Sequence, residues 1–434
     1  MKTPIRILLD AIFGLLAMAL ASASIETHAA ISFAPEQRFS TPAGPISVTT
    51  ADINNDNIVD VLVANLNDPA NGVAVLMNST SQNSTTVQLA PWVSFMPIGN
   101  GAGDADYALT TADLNADGRL DILVADSNAN QIALLLNTTG IGAATPAFAP
   151  PYAHPSTGPT GNEKPRSVVA ADIDGDGKPD VIASDTAIGK VAILLNTTAQ
   201  NATTATTAPY QLFTTGTGTI NTIPRCIAAD LNNDDKPDIA CVNRGENTAS
   251  VLVNHSTPGV LSLTTQPALA TGASPSGVAV ADINNDGWPD IIVVDSVDNT
   301  VSVFINTTIA VGANPTFAAR IFFPSGAVNP SSSYFVMTAD IDGDGKPDIV
   351  VSNGNPGVAV LVNTTPAGTL APTFAAAQSF SVGVTTYAVF SVTAADINRD
   401  GKIDLIAPNH GDNTVSVLLN TSPSDLIFAN GFEP

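Results

Sequence analysis

Short apolar runs, four to seven residues long and rich in Val, Ile and Leu, return along this chain in a fixed order. One set reads DVLVAN, DILVAD, DVIASD, DIACVN, DIIVVD, DIVVSN and DLIAPN. After a turn each is followed by a second run: VAVLMN, IALLLN, VAILLN, ASVLVN, VSVFIN, VAVLVN and VSVLLN. A third apolar segment lies upstream of each and ends in Ala-Asp, as in ISVTTAD, SVVAAD and YFVMTAD. Runs of this length and composition predict strands, and no segment holds a helical period. Continuous apolarity, in place of alternation, predicts strands covered on both faces. A variable Pro- and Thr-rich stretch, often with paired aromatics as in FAPEQRF (33–39) and FAAAQSF (374–380), supplies a fourth strand.

Between the upstream segment and the first run stands a nine-residue acidic string. Its copies are DINNDNIVD (52–60), DLNADGRLD (113–121), DIDGDGKPD (172–180), DLNNDDKPD (230–238), DINNDGWPD (282–290), DIDGDGKPD (340–348) and DINRDGKID (396–404). Seven four-stranded modules at a near-constant period predict an all-β fold, a seven-bladed β-propeller of four-stranded antiparallel blades. A linear β-solenoid is the alternative, although its repeats are usually shorter. Seven alanines, Ala51, Ala112, Ala171, Ala229, Ala281, Ala339 and Ala395, precede the strings and suit crowded inner strands. The chain opens with a fourth-strand equivalent and its last module stops after a third strand. The simplest closure therefore pairs residues 31–40 with 410–420, so that the N-terminal strand joins the last blade, unless the tail SDLIFANGFEP competes for that edge.

Positions 1, 5 and 9 of the string are Asp in all seven copies, and position 3 is Asn or Asp. Position 6 is Gly in five copies, Asn57 in the first and Asp235 in the fourth. Oxygen ligands at alternate positions, with a residue tolerant of positive φ at the bend, match the opening of a calcium loop. The expected ligands are Asp52, Asn54, Asp56 and Asp60 in the first copy, and Asp113, Asn115, Asp117 and Asp121 in the second. Asp172, Asp174, Asp176 and Asp180 follow in the third, and Asp230, Asn232, Asp234 and Asp238 in the fourth. Asp282, Asn284, Asp286 and Asp290 serve the fifth, Asp340, Asp342, Asp344 and Asp348 the sixth, and Asp396, Asn398, Asp400 and Asp404 the seventh. The carbonyl of position 7 would complete the inner shell. Oxygen donors without His or Cys select Ca²⁺ over zinc or copper, and Mg²⁺ demands a stricter octahedron. The absence of a Glu at position 12 and the flanking strands exclude an EF-hand. An Asx-rich hairpin without metal is the plainer reading of one copy, but not of seven. The first and fourth sites, lacking the bend Gly, should be the weakest.

These strings resemble the FG-GAP or VCBS-type repeat of integrin-α-like propellers, over residues 31–420. The resemblance implies a propeller whose loops between the first two strands of each blade ligate calcium. It implies a scaffold class that hosts adhesion and carbohydrate-binding proteins, with a few enzyme-associated members, so it carries the fold further than any activity.

The charge narrows the partners. The net charge is −24, and twenty-four of the 39 acidic residues lie inside the strings. Such acidity argues against nucleic acid and anionic lipid and fits a cation partner. Lys2 and Arg6 followed by the apolar stretch 11–20 read as a secretory signal over residues 1–29, with Asp10 an irregularity, ahead of a propeller over 30–420 and a tail over 421–434. No later stretch is long enough to span a bilayer. The chain reads as a secreted or extracellular protein, with periplasm or cell surface as variants, binding a protein or carbohydrate ligand.

Two further patterns need weighing. Cys226 and Cys241 flank the fourth string, close to opposite each other on adjacent strands, and read either as two buried thiols or as a disulfide favoured by secretion. Each third strand ends in Asn-x-Ser/Thr, at Asn78, Asn137, Asn196, Asn254, Asn306, Asn363 and Asn420. These are formal glycosylation acceptors, yet their recurrence at one spot favours a turn role. No HExxH, GxSxG or phosphate loop is present and the four histidines share no motif. The chain thus reads as a non-catalytic interaction module holding up to seven Ca²⁺. A lectin-like propeller is the alternative, and less favoured is an enzyme acting on polysaccharide or lipid. The inserts 79–107, 140–165 and 197–224 are the expected recognition surface.

Overall fold

The computed structural model describes residues 30–66, 72–95, 108–127, 129–155, 164–185, 189–216, 225–329, 333–354, 357–383 and 389–423. Among these the regular elements are all strands, arranged as seven antiparallel sheets. Blade 1 is typical: Pro45–Ala51, Asp60–Asn65, Val73–Leu76 and Val93–Phe95 pair in sequence order. Blades 2 to 6 repeat this order, and blade 4 carries one extra short strand, Leu269–Ala270. In blade 7 the strands Thr393–Ala395, Asp404–Asn409 and Thr414–Leu418 are followed by Gln37–Ser40 from the other end of the chain, with Gln37 opposite Val417 and Ser40 opposite Thr414. Backbone bonds from Ala34 N to Leu419 O and from Thr421 N to Ser32 O extend that pairing. The proposed signal segment and residues 424–434 of the tail lie outside the described residues.

The apolar runs owe their continuity to position. Every residue of the second strands is buried, because both sheet faces meet a neighbouring blade. In blade 1, Leu62 and Val75 pack with Ile122 and Leu135 of blade 2, while Val61, Val63 and Ala74 pack with Ile406, Val415 and Val417 of blade 7. The second of these clusters spans the seam between the chain's two ends, so the stack returns on itself and is no solenoid. Each fully buried Val, Leu or Ile contributes about 1.5–3 kcal/mol relative to exposure, which makes the blade interfaces the main store of stability.

The outer strands are short, and Gln37–Ser40, Ile321–Pro324 and Gln378–Ser381 alternate half-buried with exposed. Their paired aromatics bind blade to blade. Phe374 meets Phe323 of blade 5 at 4.9 Å, and Phe380 meets Phe33 beside blade 7 at 4.8 Å, both edge to face. The three long inserts supply fourth strands, as the sequence pattern predicts. Each contains the outer strand of its own blade (Val93–Phe95, Tyr152–Pro155 and Gln211–Thr214), so they are not free loops throughout.

The first strands surround the axis and run from one face to the acidic strings on the other. Residues of all seven line a channel of about 260 Å³, from Ser47 in blade 1 to Ser391 in blade 7.

Cys226 and Cys241 are joined as a disulfide, directly opposite each other in register. The bridge closes the 15-residue interval that contains the fourth string, one of the two without a bend Gly. The double variant Cys226→Ser/Cys241→Ser is expected to lose about 3 kcal/mol, the chain-entropy value for such a loop. Alkylation in denaturant without reductant should label no thiol, and labelling of both would refute the bridge.

Candidate metal centre

Each acidic string turns the chain from a first strand into a second strand, and its carboxylates hold the turn by accepting backbone N–H bonds. In blade 1, Asp52 Oδ1 accepts from Asp56 N at 3.1 Å and Oδ2 from Asn57 N at 2.7 Å, while Asp56 Oδ1 accepts from Ile58 N at 2.8 Å. The bond from position 6 to the first Asp recurs in every blade. Asn57 and Asp235 replace the bend Gly and still take the left-handed conformation, both at φ 64°. A second left-handed residue stands at position 4, which sequence reasoning missed: Asn55, Ala116, Asn233, Asn285 and Arg399 adopt it, and Gly175 and Gly343 do so without a side-chain penalty. The two identical strings are therefore the least strained, with Gly at both left-handed positions.

Position 9 is the most buried carboxylate of each string and has two partners. Asp60 Oδ2 accepts from Ile53 N at 3.0 Å and Oδ1 from Asn78 N at 2.7 Å. The same pair of bonds holds Asp121, Asp180, Asp238, Asp290, Asp348 and Asp404. Burial pushes the Asp60 carboxyl up to about 7, against the pull of the two N–H donors and with added push from Asp56 and Asp52. Asp121, Asp238, Asp290, Asp348 and Asp404 are also pushed by burial to about 7. Asp180 rises to about 6 for the same first reason.

The string's third position is buried in every blade, between 0 and 5 % exposed. In the third and sixth strings, oxygens of Asp172, Asp174 and Asp180, and of Asp340, Asp342 and Asp348, come within 4.8 Å of one another. In the fifth, Asn284 is fully buried and its Oδ1 has no hydrogen-bond partner, whereas Asn54 Oδ1 accepts Asp56 N at 3.2 Å. A buried orphan oxygen beside carboxylates, in a donor set made only of oxygen, fits a hard divalent cation. The second string carries a cation of its own: Arg119 Nη2 lies 2.6 Å from Asp117 Oδ2.

The Asn of each N-x-S/T triplet ties a string to the next blade. Asn306 Nδ2 donates to Leu231 O, in the fourth string, and to Pro289 O in its own, both at 2.9 Å. Its Oδ1 accepts Thr308 N at 3.0 Å. Bonds to the preceding blade's position-2 carbonyl come also from Asn137, Asn196, Asn254, Asn363 and Asn420, and across the seam from Asn78 to Ile397 O. All seven are at most 3 % exposed. They are clamps inside the ring, and the turn reading caught only the local half of their role.

A ring of seven four-stranded blades, each with an acidic turn on one face, defines the class: an all-β propeller built from sequence repeats. The model of the FG-GAP-like repeat matches residues 113–183, 230–293, 282–351 and 340–407, more than half of the chain, and the chain belongs to that family. No curated protein matches the sequence. Among solved structures, BBS1N in complex with ARL6DN is similar at a TM-score of 0.55 and 11% identity, covering 91% of this chain and 98% of that one. An Agrocybe aegerita lectin that recognises non-reducing terminal N-acetylglucosamine is similar at a TM-score of 0.51 and 18% identity, covering 83% of this chain and 88% of that one. At these identities the likeness is one of fold. No helix among the described residues is long and apolar enough to cross a membrane.

Proposed function

We propose that the protein is a secreted, calcium-binding propeller that acts as an interaction module and carries no catalysis of its own. The ligands are the residues at positions 1, 3, 5 and 9 of each string, with up to seven Ca²⁺ per chain. The observation that carries this reading is Asn284 Oδ1, a fully buried oxygen with no protein partner, in a turn repeated seven times. The ion supplies charge neutralisation. The chain supplies the rest: backbone N–H groups orient the carboxylates, and the Asn clamps hold each loop against its neighbour.

Equilibrium dialysis against ⁴⁵Ca²⁺ tests the metal. Between four and seven ions per chain are expected at millimolar calcium, as in extracellular modules. The third and sixth sites should fill first, and the first and fourth last. Binding of no ion at 10 mM, roughly ten times the weak end of that affinity range, would refute the reading.

The lectin-like alternative draws support from the fold shared with the Agrocybe aegerita lectin. A glycan array separates the two. Saturable binding to one sugar class, lost on chelation, favours the lectin; an empty array favours a protein partner.

A further inference from the structure

We propose that the calcium loops fill as coupled pairs, the first with the second and the fourth with the fifth, through an asparagine that joins each glycine-free string to the bend of the next. This rests on the calcium reading above and concerns how those sites are loaded.

The first and fourth strings, DINNDNIVD and DLNNDDKPD, are the two without any glycine. Both of their left-handed positions are therefore held by residues with a side chain: Asn55 and Asn57 at φ 53° and 64°, and Asn233 and Asp235 at 56° and 64°. Such residues favour that conformation less than Gly does. In both strings the position-4 side chain reaches out of its own blade. Asn55 Nδ2 donates to Gly118 O, in the second string, and Asn233 Nδ2 donates to Gly287 O, in the fifth, each at 2.9 Å. The acceptors belong to the bend glycines, at φ 82° and 86°. Each bond continues into the neighbour's expected ligands through one peptide unit. The Gly287 carbonyl shares its peptide with Trp288 N, which donates to Asp286 Oδ1 at 2.9 Å. The Gly118 carbonyl shares its peptide with Arg119 N, which donates to Asp117 Oδ1 at 3.0 Å. On the donor side, Asn233 stands between the expected ligands Asn232 and Asp234, and Asp234 N donates to Asp230 Oδ1 at 3.1 Å. Asn55 stands likewise between Asn54 and Asp56, and Asp56 N donates to Asp52 Oδ1 at 3.1 Å.

Hydrogen bonds chained in this way polarise one another, so the ligand carboxylate of one string and the backbone of the next form one network. Where its carboxylates are not neutralised, a string repels itself and loosens. Its bend Gly, with wide conformational freedom, then lets the acceptor carbonyl turn away. Neutralised carboxylates hold that peptide in place, and the peptide holds Asn55 or Asn233 in the conformation its own string needs. The glycine-free loop thus takes its order from the glycine-bearing one. By linkage, each site of a pair raises the affinity of the other by the same factor. Loss of negative charge at the neighbour acts in the opposite sense, but salt damps it beyond about 8 Å at physiological ionic strength. The third and sixth strings, with Gly at both left-handed positions, need no such support.

Trp288 occupies position 7 of the fifth string, whose carbonyl is an expected ligand, so Tb³⁺ emission sensitised by Trp288 reads that one site. The test is titration of the full chain, stripped of metal, with Tb³⁺, with Trp288→Phe as the blank. Asp234→Asn weakens the fourth site and leaves every ligand of the fifth. It should raise the midpoint at Trp288 about fivefold, the low end of the usual coupling range, because the bridge lies at the exposed surface. Asn233→Gly cuts the bridge, keeps all ligands and suits the left-handed position, and it should raise the midpoint as much. It also keeps the test decisive if Asp234→Asn fails to fold. The two together should add nothing to either alone, and Asp117→Asn, in the second string, should change nothing. A midpoint that Asn233→Gly leaves in place, fully additive effects, or an equal shift from Asp117→Asn would each overturn the coupling while saturable emission upholds the metal reading. Absence of any emission from Trp288 would overturn the fifth site itself, and the coupling with it.

Discussion

Removal of calcium is expected to lower the melting temperature by roughly 10 °C or more at pH 7.5, and by clearly less at pH 5. Two contributions add. Ions present at ten to a hundred times their dissociation constant stabilise by about 1.4–2.7 kcal/mol per site. Several such sites amount to about 10 kcal/mol, set against an unfolding entropy of about 0.8 kcal/mol per degree for a ring of this size. The second contribution is proton linkage. The position-9 carboxyls keep their proton in the metal-free folded state up to about pH 7 (about pH 6 for Asp180), whereas unfolded Asp releases it near 3.8. Between these values the folded state binds more protons than the unfolded state, so metal-free stability falls as pH rises and levels off once the folded carboxyls have ionised. Calcium needs those oxygens ionised and so binds better over the same rise. The metal-free melting curve should therefore slope downward from pH 4.5 to 7.5, while the calcium-loaded curve stays flat or climbs. Scanning calorimetry with and without chelator across that range checks both, and a metal-free midpoint that rises with pH would contradict the burial argument.

Much of this architecture is written locally. The second and third strands show themselves as Val-, Ile- and Leu-rich runs because both their faces are covered, and a run such as DIIVVD needs no context to read. The acidic strings declare their turns because Asp at positions 1 and 5 bonds to N–H groups only two to five residues away. What the sequence hid depends on distance or on small size. The clamp from Asn306 reaches Leu231, 75 residues earlier, and the one from Asn78 reaches Ile397, 319 residues on; neither leaves a mark in a local window. The outer strands are three or four residues inside Pro- and Thr-rich stretches, too short for a period to emerge. Position 4 was missed because Ala116 and Arg399 occupy a conformation for which neither residue is a signal. The Asp at position 9, Asp238 in the fourth string, was legible as a candidate ligand but not as the anchor of the third strand, since its partner N–H at Asn254 lies 16 residues away.

The clamps yield the second large effect. Asn306→Ala is expected to cost about 3–5 kcal/mol, a fall of about 4–6 °C at the same unfolding entropy. The substitution removes the donor to Leu231 O and Pro289 O and the acceptor of Thr308 N. Asn306 is 1 % exposed and Leu231 is fully buried, so water cannot readily replace those bonds, and an unsatisfied buried group costs about 1–3 kcal/mol. Asn306→Asp keeps the shape and the acceptor but sets a carboxylate against two carbonyls, and should be no better than Ala. A control comes from Asn233, whose Nδ2 also donates across blades, to Gly287 O at 2.9 Å, but at the exposed surface. Asn233→Ala should therefore change far less, apart from the backbone cost of a left-handed Ala, about 1 kcal/mol. Because the Asn306 clamp grips the fourth string from blade 5, its loss should also weaken calcium at that string while the third and sixth sites keep their affinity. Urea denaturation of the variants, paired with ⁴⁵Ca²⁺ titration, separates the two effects. Equal cost at Asn306 and Asn233 would mean that burial is not what gives the clamp its value, and an unchanged fourth site would mean that the blades hold their ions independently.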